Sequence, residues 1–148
     1  RKLAAELGVA DIIRFVPPTS REGLADWYRS ADLVCVPSHS ESFGLVAIEA
    51  QACGTPVAAA AVGGLHTAVA DGTSGVLVPD HHIDTWRATL SDLLKRPRHL
   101  RALAERSRAH AENFSWNATA AATLEVYRQA AIARSEQTRL TVTTRTSA

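Results

Sequence analysis

The chain has 148 residues, with 16 Lys and Arg against 15 Asp and Glu, so its formal net charge is +1. Hydrophobic residues make up 46% and charged residues 21%, which excludes wholesale disorder and supplies the side chains of one core. No apolar run approaches the ~18 residues of a membrane helix, and the balanced charge gives no global signal for nucleic acid. Two cysteines make no disulfide framework, so the composition predicts a cytoplasmic protein without a membrane span.

Residues 1–36 predict a helix, a strand, a second helix and a second strand. The sequence contains no Met and opens on what reads as the second half of a helix ending at Gly8, so we expect a piece of a longer protein. Residues 12–16, rich in β-branched side chains, predict a strand, and residues 33–36 predict another. Residues 19–22 fit a capping box with Thr19 as the cap. The buried stripe of the helix that follows would hold Leu24, Trp27, Tyr28 and Ala31.

The middle of the chain repeats this pattern. A loop over residues 39–44 leads into a helix at about residues 45–52, and residues 57–60 predict the next strand. After the Gly63-Gly64 turn and a short helix to about Ala70, residues 76–78 predict a fourth strand.

Two or three helices are predicted after the fourth strand. Asp84 and Ser115 are expected to cap helices, and Pro97 is expected to open one. Their stripes include Trp86 and Trp116, which we expect in the core. Residues 134–148 are polar and lack periodicity, so they predict a disordered tail after a domain over residues 1–133.

Short apolar strands that alternate with helices predict an α/β fold, a Rossmann-like parallel sheet with helices on both faces. Four strands are countable, whereas a doubly wound nucleotide-binding domain has about six. Ligands of such sheets bind outside the carboxyl ends of the strands. We therefore expect the loops at residues 16–20, 37–44 and 61–65 to line one edge together.

The loop before the predicted helix at residues 45–52 carries the clearest binding signal. Gly44 stands where the unpaired amides of a helix N-terminus would face an anion such as a diphosphate. Glu41 and Glu49 flank this turn, and their carboxylates could accept hydrogen bonds from sugar hydroxyls. The alternative is that Glu41 is a loop charge and Glu49 lies on a solvated stripe. The pair His81-His82 lacks a third ligand, and adjacent side chains project apart, so no metal site is predicted there.

Residues 38–57 resemble the signature of retaining glycosyltransferases of group 1 (family 4) with the GT-B fold. Glu41 and Glu49 are separated by seven residues, as in the Glu-(seven)-Glu motif of that family. Gly63-Gly64 and the aromatic Phe114-Ser115-Trp116 also match family features. Within the family, the sequence of residues 38–57 is most similar to that of members that act on an inositol phosphate in mycothiol synthesis.

This resemblance implies the incomplete C-terminal, donor-binding half of a GT-B enzyme. The donor would be UDP-N-acetylglucosamine and the acceptor 1D-myo-inositol 3-phosphate. N-acetylglucosamine would be transferred with retention of its anomeric configuration, and no metal or other cofactor would be required. Glu41, the one catalytic candidate, would contact the donor sugar, and Glu49 the ribose hydroxyls. Further donor contacts are implied for Ser42, Phe43, Gly44 and Leu45 near the diphosphate and sugar, and for Phe15, Val16 and Pro17 around the base.

The sequence departs from the family pattern in several places. The Arg/Lys pair that the family sets against the diphosphate, and the acceptor domain, would belong upstream of Arg1. We therefore expect this piece alone to bind donor weakly and to be inactive, with a homodimer as one form of the full-length enzyme. His39 stands where Tyr is frequent, and His66-Thr67 replaces hydrophobic or proline residues.

Two alternatives to this assignment remain. The donor or acceptor could differ, as in mannosyl- or sucrose-phosphate-type transferases. The chain could also be a non-catalytic α/β module that binds a nucleotide or a partner. The basic residues at positions 95–108 are typical of the solvent-exposed face of an amphipathic helix, so nucleic acid is not an expected partner.

Overall fold

The structure is a computed structural model that describes the backbone of residues 1–146 and the side chains of residues 1–134. In that part of the chain, helices alternate with short strands, and a 3-10 turn at Ala10–Ile12 follows the first helix. The elements in chain order are α1 (Lys2–Glu6), α2 (Arg21–Ser30), β1 (Val34–Val36), α3 (Leu45–Ala52), β2 (Val57–Ala60), α4 (Leu65–Ala68), β3 (Gly75–Val78), α5 (Ile83–Lys95), α6 (Pro97–Ala111) and α7 (Trp116–Thr146).

The three strands form one parallel sheet in the order β1-β2-β3. Val57 of β2 stands opposite Val34 of β1 on one side and Gly75 of β3 on the other. All four residues of the central strand β2 are buried, as expected for a strand covered on both faces. The predicted parallel α/β class is confirmed, as are the predicted positions of α3 and β2.

Alternate residues of β2 serve two separate cores. Ala59 faces the core that α2, α3 and α4 close, where Ala47, Ala50 and Leu65 are fully buried. Ala58 faces the opposite core with Leu93 of α5 and Leu103 of α6. The small side chains of β2 are therefore covered by helices on both faces.

The strand predicted at residues 12–16 is wrong. Ile12 ends the 3-10 turn, and residues 13–20 follow without regular structure. Ile12 is 84% exposed and Phe15 48% exposed, and the described sheet has no strand beside this segment. A β-branched composition favours a strand only where a neighbouring strand and a covered face are present.

Helix starts differ from prediction at two places. Ser20, not Thr19, caps α2, because its Oγ accepts the Gly23 amide at 3.2 Å. A backbone amide and the Ser20 hydroxyl also lower the pKa of Glu22. Asp84 does not cap α5, because the helix begins one residue earlier, at Ile83. The carboxylate of Asp80 accepts the His82 amide just before the helix instead. Pro97 opens α6 and Ser115 precedes α7, as predicted.

Two of the three tryptophans lie outside the core that was predicted for them. Trp116 is 87% exposed, and Trp27 is 39% exposed beneath the Arg14 guanidinium, which lies 5.1 Å from its ring centre. Trp86 does pack against the core around Leu93. Helical spacing therefore places a side chain on a stripe but does not by itself provide a partner for that stripe.

Helix α7 continues through residues 134–146, where the sequence predicts a disordered tail. Residues 116–146 contain neither Gly nor Pro, so the chain carries no local signal that would end the helix there. Residues 147–148 lie outside the described residues. Over the described part of the chain, no helix combines the length and the apolarity that crossing a membrane requires.

Candidate functional site

The candidate site lies at the carboxyl edge of the sheet, where the loops after β1 and β2 meet. The Gly64 amide donates to the Glu41 carbonyl oxygen at 2.8 Å. A Cβ on Gly64 would lie 2.5 Å from the Phe43 Cα, and one on Gly63, whose φ is +48°, would collide with the Glu41 carbonyl. Only glycines allow this backbone-to-backbone packing, which fixes the shape of the 41–44 turn.

Gly44 begins helix α3 in the left-handed region, with φ +91°. A Cβ there would lie 2.8 Å from the Cβ of Ala68 and 3.0 Å from Leu65, so the turn is also held from the side of α4. The amides of the first turn of α3 have no acceptors within the helix and carry the positive end of its dipole. The turn is therefore suited to an anionic group.

The Glu41 carboxylate lies at this same helix start. Its Oε1 accepts the Gly44 amide at 3.3 Å, and the side chain is half-buried. One carboxylate oxygen is therefore engaged by the turn, and the other can accept a hydrogen bond from a hydroxyl group. Glu41 is thus a loop residue whose carboxylate is held by the backbone of its own turn.

Glu49 lies one turn into α3, four residues after Leu45, so the two share a helix face. The Tyr28 hydroxyl donates to Glu49 Oε2 at 3.3 Å. Both residues line a cleft of about 470 Å³ between α2 and α3, with Trp116 at its margin. Burial, then the negative charge of Glu49, raises the pKa of Tyr28 to about 12. The hydroxyl thus remains a donor at physiological pH.

The remaining loop residues are largely exposed at the turn. Ser42 is exposed, and Phe43 and Leu45 are 46% and 60% exposed. The Phe43 ring meets Phe114 edge to face at 6.1 Å, and Phe114 meets His110 at 5.3 Å. The side chain of Phe43 therefore packs toward the junction of α6 and α7.

The sequence did not single out two residues as part of this site. Phe114 supports Phe43, and its signal was the Phe-Ser-Trp motif. Gln51 is fully buried, and its Nε2 donates to the carbonyls of Ala47 at 2.9 Å and Ala68 at 2.8 Å. Gln51 thereby ties α3 to α4 and fixes the helix that carries Glu49. No sequence pattern indicated this role, because a Gln in an amphipathic stretch reads as exposed.

Residues 15–17, predicted to line the base pocket, are exposed. Phe15 lies under the Arg1 guanidinium, 5.2 Å from its ring centre. Among the described residues, no hydrogen bond or ring contact joins residues 15–17 to the 37–44 loop. The prediction that these two loops line one edge depended on a strand at residues 12–16, which does not form.

A second polar cluster follows β3 at the same sheet edge. The rings of His39 and His81 stack with centres 4.1 Å apart, and His81 Nε2 lies 3.0 Å from the Ser38 carbonyl oxygen. Asp80 accepts the His82 amide and the Thr85 hydroxyl, which lower its pKa. Within the described residues, no three His, Cys, Asp or Glu side chains gather as metal ligands would.

Comparison with known proteins agrees with this geometry. Residues 1–110 match the family described as glycosyl transferases group 1. The D-inositol 3-phosphate glycosyltransferase of Thermobispora bispora is 60% identical over 128 residues, which are 86% of this chain and 30% of that protein. The chain thus spans about 30% of the length of the curated relatives it matches.

Two solved structures extend the comparison. The sucrose-phosphate synthase of Thermosynechococcus elongatus superposes with a TM-score of 0.79 at 39% identity, over 89% of this chain and 33% of that one. Anabaena HepE, solved in complex with UDP-glucose, superposes with a TM-score of 0.70 at 25% identity, over 76% of this chain and 30% of that one. The architecture of the chain is therefore that of one part of a larger glycosyltransferase.

Proposed function

The chain belongs to the glycosyl transferases group 1 family, and from that premise we propose that it is the donor-binding part of a retaining glycosyltransferase. The donor is UDP-N-acetylglucosamine and the acceptor is 1D-myo-inositol 3-phosphate. The names of the curated relatives support the acceptor, and the UDP-glucose complex of HepE supports a uridine nucleotide donor.

One observation carries the donor site: Glu41 and Gly44 share a turn that the Gly63-Gly64 backbone holds rigid. The donor diphosphate binds at the amides of Ser42, Phe43 and Leu45, because the Gly44 amide already donates to Glu41 Oε1, and the helix dipole stabilises negative charge there. In the same turn, the free oxygen of Glu41 accepts a hydroxyl of the donor sugar. Because the amides are already oriented, they stabilise leaving-group charge without reorganisation.

Glu49 lies one turn further along α3 and serves the ribose. Its exposed carboxylate accepts the ribose hydroxyls, while Phe15, Val16 and Pro17 line the base once the rest of the domain supports their segment. No protein nucleophile and no metal are part of this proposal. The acceptor is held mostly by a domain beyond the present chain, so the chain contributes donor recognition.

A transferase with another acceptor is the second candidate. It is favoured by the likeness to a sucrose-phosphate synthase at 39% identity. Both candidates share the donor site, and they differ only in the acceptor that a complete enzyme uses.

Titration of the 148-residue chain with UDP, by saturation-transfer NMR, tests the donor site. We expect weak binding, a clear loss in Glu49→Ala, and no loss in the matched control Glu105→Ala, an exposed carboxylate on α6. Hydrogen bonds to a charged acceptor contribute about 1.5–3 kcal/mol, so the loss should be about tenfold or more.

A chimera tests the complete reaction. The matched stretch of this chain replaces the corresponding 128 residues of the Thermobispora protein. The chimera should transfer N-acetylglucosamine to inositol phosphate, whereas the chain alone should not turn over. If the chimera folds but neither binds UDP nor transfers sugar, the chain is a non-catalytic α/β module and the proposal is wrong.

A further inference from the structure

The contact between Tyr28 and Glu49 joins a buried residue to an exposed one. Tyr28 is 9% exposed and belongs to the core that includes Ala50 and Val57. Glu49 stands on the exposed face of α3, where an isolated Glu side chain samples several rotamers. Within the described residues, the bond of 3.3 Å from the Tyr28 hydroxyl is the one hydrogen bond of the Glu49 side chain.

Tyr28 is held at both its backbone and its ring. Its carbonyl oxygen accepts the Thr55 hydroxyl at 2.6 Å, and Thr55 is only 3% exposed. Its ring packs in the core between α2, α3 and the sheet. The hydroxyl therefore points from a fixed base into the cleft between α2 and α3, next to Glu49.

We propose that Tyr28 is a positioning residue for Glu49. Its hydroxyl binds Oε2 and holds the carboxylate in one orientation, which leaves Oε1 free to accept a ribose hydroxyl of a nucleoside diphosphate. This inference rests on the proposed function of Glu49. A side chain that is already ordered loses less conformational entropy when the ligand binds, so Tyr28 acts on affinity through Glu49 and without touching the ligand.

A purely structural role is the competing explanation. The hydroxyl of a buried Tyr needs a partner, and Glu49 provides one. The two explanations agree that Tyr28→Phe lowers stability. They differ in whether the substitution changes how the protein recognises the ribose.

Ligand binding by Tyr28→Phe separates these explanations. The chain is titrated with UDP and with 2′,3′-dideoxy-UDP, which lacks the hydroxyls that Glu49 would bind. We expect Tyr28→Phe to weaken UDP binding about fivefold and to leave dideoxy-UDP binding unchanged. In the Glu49→Ala background, Tyr28→Phe should have no further effect on UDP affinity, since the carboxylate that Tyr28 positions is then absent. The matched control is Tyr127→Phe on α7, whose side chain is 67% exposed.

The orientation of Glu49 is measured without ligand. Three-bond NMR couplings in the wild-type chain should report one preferred rotamer, and in Tyr28→Phe they should report averaging. If Tyr28→Phe lowers the melting temperature but leaves both the UDP preference and the couplings unchanged, Tyr28 is only structural and the inference is overturned.

A different result would point at the proposed function instead. If the wild-type chain binds UDP and dideoxy-UDP equally, Glu49 does not serve the ribose, and the proposed function loses that step. The couplings then still decide whether Tyr28 orders Glu49, so the two failures are distinguishable.

Discussion

Two segments of this chain, residues 12–16 and residues 57–60, differ in sequence and in outcome. Residues 12–16 contain three β-branched residues and a Phe, which favour a strand, whereas residues 57–60 contain one Val and three Ala, yet only residues 57–60 form a strand. Residues 57–60 form the central strand β2, buried on both faces and paired on both edges. Residues 13–16 remain irregular, and all of residues 12–16 are exposed, with Ile12 84% exposed. The difference shows that a strand is specified by its neighbours as much as by its own side chains.

The turn of the candidate site lies in the same packed part of the molecule as β2. The turn at Glu41–Gly44 is enclosed by β1, α3, α4 and the Gly63-Gly64 loop, all within residues 34–68. Residues 15–17, which are expected around the base, lie in the exposed and irregular segment. The Glu41–Gly44 turn is therefore held by packed neighbours, whereas residues 15–17 lie exposed and without a hydrogen bond to it among the described residues.

Amide hydrogen exchange should show the largest contrast between the two segments. The amides of Arg14, Phe15 and Val16 have no backbone acceptor within the described residues, so we expect them to exchange almost as in an unfolded chain. The amides of Ala58 and Ala59 open only when the sheet unfolds, and their protection should be about a thousandfold higher. Protection of residues 14–16 equal to that of β2 would show that a strand forms there after all.

A pair of leucine truncations is expected to give the next largest contrast. Leu65 is fully buried in the core beside the site, so Leu65→Ala should lower the free energy of unfolding by about 2–5 kcal/mol. Leu7 is 65% exposed in the N-terminal region, and Leu7→Ala should change the free energy of unfolding by less than about 0.5 kcal/mol. Urea denaturation of both variants measures the difference. Equal losses would mean that the N-terminal region also has a closed core.

A pair of glycine substitutions separates steric packing from backbone conformation. Gly63 and Gly72 both have positive φ, so replacement by Ala costs each about 1 kcal/mol from conformation alone. At Gly63 the added Cβ also meets the Glu41 carbonyl, whereas at Gly72 nothing lies within 4 Å. Gly63→Ala should therefore destabilise the chain by about 1–3 kcal/mol more than Gly72→Ala.

The same glycine pair tests whether the packed loops matter for binding. UDP affinity should fall in Gly63→Ala, because the displaced Glu41 backbone moves the amides of the turn, and it should persist in Gly72→Ala. Full UDP affinity in a folded Gly63→Ala protein would contradict the view that loop packing shapes the turn.

The sequence predicted well those features that are set by local signals. The Gly44 turn, the bounds of α3 and the opening of α6 at Pro97 follow from residues within one helical turn of each position. The partners of a residue are non-local, and these were predicted less well. Trp116 was assigned to the core because of its spacing, and Tyr28 was assigned only to the core because no local pattern shows that its hydroxyl reaches Glu49.

The smallest expected effect is the pH dependence of stability that comes from Asp80, in the turn after β3. The His82 amide, and then the Thr85 hydroxyl, lower the pKa of Asp80 below its ordinary 3.8. A lowered pKa in the folded state means that ionised Asp80 stabilises the fold fully above pH 3.8, and that this stabilisation is lost as the pH falls through the lowered value.

Asp80→Asn should therefore melt slightly below the wild type at neutral pH, and the two melting curves should converge in acid. Thr85→Val keeps the charge but loses one hydrogen bond, so it should show a smaller decrease at neutral pH. A difference between Asp80→Asn and the wild type that persists below the lowered pKa would assign the effect to side-chain shape rather than to charge.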